Sequence, residues 1–201
     1  MTRLQKGLWA AVAVAALGAG AQAVMESRAP EVATSAASLV VAEFELTGHD
    51  GVVRTEEDFW GKWTLVFFGF TNCPDICPTT LAEIAQVMDD LGPQADAVQP
   101  LFISVDSDRD RPMDLAEYVP LFHPSILGLT GTPDQIEAAA ASFKIFYERV
   151  PEEDAPDGYM MGHTSQVFLF DPDGGFVRLY GYGTPAPEIT SDLSARIDAR
   201  N

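Results

Sequence analysis

Trp63-Thr64-Leu65-Val66-Phe67-Phe68-Gly69-Phe70 is a near-continuous run of strand-forming residues. With no polar alternation, it predicts a strand covered on both faces. Across residues 79–91, Leu81, Ile84, Ala85, Val87, Met88 and Leu91 recur at helical spacing, with Pro78 suited to a first turn and Gly92-Pro93 to a stop. A buried strand that feeds almost directly into a helix is the building unit of an α/β sheet.

The same alternation continues outward. Residues 98–105 read as a second buried strand, 114–118 as a short helix, 126–129 as a short strand and 134–143 as an alanine-rich helix, which together predict a partly parallel sheet. Upstream, Phe44-Glu45-Leu46 and Val52-Val53-Arg54 flank Gly48-His49-Asp50-Gly51, a hairpin signal. Downstream, strands over 166–170 and 176–180 flank Asp171-Pro172-Asp173-Gly174-Gly175, and an amphipathic helix over 187–200 closes the chain. No internal repeat is visible.

The 201 residues accommodate one domain and a leader. Residues 1–6 carry Arg3 and Lys6 and no acid, and residues 7–24 are apolar apart from Gln22. That pattern reads as an export signal over residues 1–25, either cleaved after Ala21-Gln22-Ala23 or retained as a membrane anchor. Residues 26–38 read as a linker and 39–201 as the folded domain. Either outcome places the domain outside the cytoplasm: on the periplasmic face of the inner membrane in a Gram-negative host, or free in the periplasm. With 30 acidic against 12 basic side chains the net charge is -18. That charge excludes nucleic acid as a partner and favours cationic partners or metal ions.

The two cysteines exclude a disulfide-stapled miniprotein and a four-thiolate zinc site. Both lie in Thr71-Asn72-Cys73-Pro74-Asp75-Ile76-Cys77-Pro78, between the buried strand and its helix. Unpaired N–H groups and a partial positive charge at a helix N-terminus favour thiolate, which attacks disulfides or binds metal. Three intervening residues allow both sulfurs onto one side of the opening turn, close enough to bridge or chelate. A purely structural disulfide is the alternative, but so short a loop removes little unfolded-chain entropy. As a third donor the spacing leaves His49, His123 and His163 open, and Met160 and Met161 are weak accessory thioether candidates. Asp106, Asp108 and Asp110 lack the glycine and distal glutamate of an EF-hand loop and read as capping acids.

Phe70-Thr71-Asn72-Cys73-Pro74-Asp75-Ile76-Cys77-Pro78 closely resembles the CPDxCP signature of the Sco/SenC family of copper chaperones. Further motifs follow in order: Ser104-Val105-Asp106 with Arg109, Asp110 and Pro112; Leu129-Thr130-Gly131-Thr132-Pro133; and Gly162-His163-Thr164-Ser165 before Asp171-Pro172-Asp173-Gly174. The resemblance covers roughly residues 39–197. It departs from the family pattern at Ser107, Arg111 and Gly162, where many relatives carry proline, threonine and an acid. It implies a thioredoxin-like α/β fold with an added N-terminal β-hairpin, and a metallochaperone serving the dinuclear copper site of cytochrome c oxidase. Copper would be held by Cys73, Cys77 and His163, with Asp106 and Asp110 around them. The partner implied is the copper-site subunit of the oxidase, and the membrane too if the leader is uncleaved. A second reading is an exported thiol-disulfide oxidoreductase that reduces a partner's copper-site cysteines, in which Cys73 attacks and Cys77 resolves.

Overall fold

A computed structural model describes residues 40–200. The leader over 1–25 and the linker over 26–38 lie outside the described residues. The elements in chain order are β1 (Glu45–Gly48), β2 (Val53–Thr55), β3 (Trp63–Gly69), α1 (Ile76–Leu91), β4 (Val98–Ser104), α2 (Pro112–Tyr118), β5 (Leu127–Thr130), α3 (Pro133–Phe143), β6 (Tyr147–Pro151), β7 (Tyr159–His163), β8 (Val167–Phe170), β9 (Phe176–Tyr180) and α4 (Ala186–Arg200).

Seven strands form one sheet in the order β2-β1-β5-β4-β3-β8-β9. β3, β4 and β5 are parallel, while β1 adds to the β5 edge and β8 to the β3 edge, both antiparallel. All seven residues of β3 are buried, because helices cover both faces of the sheet. Leu65 and Phe67 face a cluster with Leu81 and Ile84 of α1, Leu115 of α2 and Leu193 of α4. Val66 and Phe68 face the other way, onto Ile136, Ala140 and Phe143 of α3. This is a thioredoxin-like α/β fold extended by the N-terminal hairpin β1–β2.

Helix α1 begins at Ile76 and not near residue 79, so Cys77 sits in its first turn, and it stops where Gly92 takes a positive φ of 53°. The hairpin β6–β7 has no counterpart among the elements read from the sequence. It forms a separate two-stranded sheet. Four of the five β6 residues are exposed, so neither alternation nor a continuous apolar run marks it. His163, expected ahead of a strand, is the last residue of β7, with β8 beginning at Val167. No helix among the described residues is long and apolar enough to cross a membrane.

Candidate metal centre

β3 delivers the chain into the turn 70–75, where the Cys73 N–H donates to the Phe70 carbonyl at 3.3 Å. Thr71 is anchored from below by buried Asp110, which accepts from the Thr71 N–H at 2.9 Å and its hydroxyl at 2.5 Å. A third bond to Asp110 comes from the Ser104 hydroxyl at 2.6 Å. Burial pushes the Asp110 carboxyl above its ordinary value, while the hydrogen bonds from Ser104 and Thr71 oppose that shift.

Both cysteines are free thiols, Cys73 partly exposed and Cys77 buried. The Cys77 N–H, one of the unpaired donors of the first helical turn, points at Cys73 Sγ at 3.3 Å. The Cys73 thiol is held down to about 4, first by a hydrogen bond from the Cys77 thiol, with burial opposing. Cys77 is pushed upward by its hydrogen bond to Cys73, then by burial and the neighbouring negative charge. One sulfur is thus an accessible thiolate and the other a recessed thiol.

His163 Nε2 lies 3.5 Å from Cys77 Sγ, and its Nδ1 is 2.9 Å from the Thr164 carbonyl. A carbonyl only accepts, so Nδ1 carries the proton and Nε2 presents a lone pair toward the sulfurs. Phe70 and Phe67 pack edge-on against the imidazole, at centroid distances of 5.7 and 6.1 Å. The ligating atoms of Cys73, Cys77 and His163 all lie within 4.8 Å of one another. Two sulfurs and one imidazole nitrogen beside aromatic rings make a donor set suited to a soft ion in three coordination. The same free cysteines can exchange with a disulfide.

The other histidines lie elsewhere. His49 Nδ1 accepts from the Gly128 N–H at 3.0 Å, tying the β1–β2 turn to β5, and His123 Nδ1 contacts the Ser125 hydroxyl at 2.7 Å. Met160 and Met161 pack against core side chains. The three aspartates do not converge: Asp106 meets Arg109 and Tyr159, Asp108 pairs with Arg149, and Asp110 holds Thr71. Sequence reasoning missed Thr71 and Tyr159 as supports. Thr71 adjoins the cysteine motif, but nothing local to Tyr159 marks it.

The SCO1/SenC family matches residues 32–198 of this chain. The mouse mitochondrial SCO2 homolog is 40% identical over 159 residues, which cover 78% of this chain and 62% of the mouse protein. The chain therefore spans less than two thirds of that relative's length. Among solved structures, Bradyrhizobium japonicum ScoI with copper bound is similar at a TM-score of 0.72 and 38% identity, covering 78% of this chain and 98% of that one. BsSco, a member of the Sco family of cytochrome c oxidase assembly proteins with a disulfide switch, is similar at a TM-score of 0.62 and 28% identity, covering 79% of this chain and 94% of that one.

Proposed function

Since the chain belongs to the SCO1/SenC family and gathers Cys73, Cys77 and His163 around one point, we propose that it is a metallochaperone whose cargo is copper. It delivers that copper to, or matures, the dinuclear copper site of cytochrome c oxidase, and its partner is the oxidase subunit carrying that site. The domain works outside the cytoplasm, on the periplasmic side of the inner membrane, tethered by or released from its N-terminal segment. The observation that carries the reading is the His163 lone pair held toward the cysteine pair, at 3.5 Å from Cys77 Sγ.

Cu(I) favours thiolate sulfur and accepts imidazole as a third donor. Binding requires both sulfurs deprotonated, so the Cys77 proton leaves as the metal arrives. Oxidation of the pair to a disulfide removes two electrons and the thiolate charge that ligation uses, and so ejects the metal.

The unequal thiols favour a second reading as a thiol-disulfide oxidoreductase. The Cys73 thiolate attacks a partner disulfide and releases one partner thiolate. Cys77, losing its proton, then attacks Cys73 Sγ and releases the second. The partner gains two electrons and the pair here becomes a disulfide.

The two readings separate at His163. In His163→Ala, copper affinity measured by competition titration should fall by more than the roughly 10- to 100-fold that loss of an outer-shell contact costs, while disulfide reduction on the same preparation shifts only modestly. Retained copper affinity with abolished reductase activity would make the oxidoreductase primary. Equal copper content in the reduced and oxidised wild-type protein would refute copper carriage through these thiols.

A further inference from the structure

The hairpin that ends on His163 contributes no strand to the main sheet. Within it, Pro151 pairs with Tyr159 at one end and Tyr147 with His163 at the other. Tyr159, Met161 and His163 share one face of β7 by alternation. Tyr159 and His163 are about 13 Å apart along the strand at ~3.3 Å per residue. β8, beginning four residues after His163, ties that end of the hairpin to β3, and with no ladder of its own to the main sheet the rest of the hairpin is held by side chains.

Tyr159 is gripped. The Arg109 Cζ lies 3.8 Å from its ring centroid and the Arg149 Cζ 3.9 Å, and two planar groups that close to one ring must occupy opposite faces. Its hydroxyl donates to buried Asp106 at 2.9 Å. Arg109, itself nearly buried, bonds Asp106 through Nε at 2.5 Å and the Pro156 carbonyl through Nη1 at 2.9 Å. Arg149 pairs in turn with Asp108. All these body-side groups belong to the short loop between β4 and α2, and the same loop carries Asp110, which holds Thr71. The loop is bound to β3 through the Val105 N–H to Gly69 carbonyl bond at 2.8 Å. One rigid spacer therefore touches both the turn that bears Cys73 and the hairpin that bears His163.

We propose that Arg109 is a positioning residue for His163: by clamping Tyr159 to the β4–α2 loop it sets the distance between the imidazole and the two sulfurs. An arginine is required there because one group must stack on a ring while its edge bonds a carboxylate and a carbonyl, which a lysine ammonium cannot do. The inference rests on the copper reading only for its affinity readout, because the imidazole's placement is measurable without metal.

The test compares full-length wild type with Arg109→Lys, which keeps a charge beside Asp106. In metal-free protein, the His163 imidazole nitrogens should report one fixed tautomer in the wild type by NMR and averaged or broadened signals in the variant. Cu(I) competition should show about 10- to 100-fold weaker binding in the variant. In a His163→Ala background the same change should alter affinity by less than about 2-fold, because the residue acts only through the imidazole. Unchanged imidazole signals in folded Arg109→Lys, or an equal affinity loss in both backgrounds, would overturn the proposal. Should Arg109→Lys fail to fold, Arg149→Ala, on the exposed side of the same ring, decides by the same two readouts with a smaller shift expected. A wild type that binds no copper would refute the metallochaperone reading while the imidazole signals still decide the clamp.

Discussion

Cys73 and Cys77 are the same chemical group in different surroundings, and their difference sets how the site responds to pH. The Cys73 thiol, held down to about 4, is a thiolate throughout the neutral range. Its alkylation by iodoacetamide in metal-free protein should therefore proceed at a nearly constant rate from about pH 6 to about pH 8, where an ordinary thiol near 8.5 accelerates about tenfold per unit. A tenfold rise per unit at Cys73, read by mass spectrometry of the modified peptide, would contradict the unequal sharing of one proton. For folding, the depressed Cys73 value contributes stability that is full above the unfolded thiol's value and is lost as pH falls toward about 4. Cys77 carries the opposite sign. Its raised value contributes stability that is full below the unfolded value and is lost as pH rises.

Strand β3 and helix α1 meet at the site with little space between them. A Cβ placed on Gly69, the last residue of β3, would lie 2.7 Å from Phe102 Cε2 and 2.8 Å from Cys77 Sγ, both inside ordinary contact. Phe102 is fully buried and has little room to retreat, so the added methyl displaces the sulfur as well as the ring. Gly69→Ala should cost about 1–3 kcal/mol by overpacking and weaken copper binding in parallel. Urea denaturation and copper competition on one preparation check both effects. A variant with an unchanged midpoint and unchanged affinity would show that the strand end does not press on the ligand.

Across the whole chain the charge is -18, and among the described residues most ion pairs are partly or largely exposed, Arg109–Asp106 being the buried one. Exposed pairs contribute little each, so self-repulsion among the excess acids should dominate the salt response. Raising sodium chloride from about 10 mM to about 200 mM shortens the screening length severalfold and should raise the thermal midpoint. A gain of about 1 kcal/mol would shift it by about 2–4 °C at this size. A fall in the midpoint, followed by circular dichroism, would mean that local ion pairs outweigh the global field.

What could be read along the chain was local or periodic. The unbroken run of β3, the helical spacing of Leu81, Ile84 and Met88, and the turn residues from Asp171 to Gly175 each carry their signal within a few neighbours, because burial on two faces, one face or none imposes its own period. The cysteine pair was legible for the same reason, since its chemistry depends on a helix start that the preceding strand announces. The β6–β7 hairpin was not. Its β6 strand is largely exposed, and it is held by side chains that come from Asp106, Asp108 and Arg109, far away in the chain. Which histidine joins the sulfurs was likewise open on spacing alone. Three were available, and the choice lies in folding, which brings residue 163 to within 3.5 Å of residue 77 while tying His49 to Gly128 and His123 to Ser125. Contacts across 86 positions leave no periodic trace, because they are set by how the sheet, the loop after β4 and the hairpin pack together.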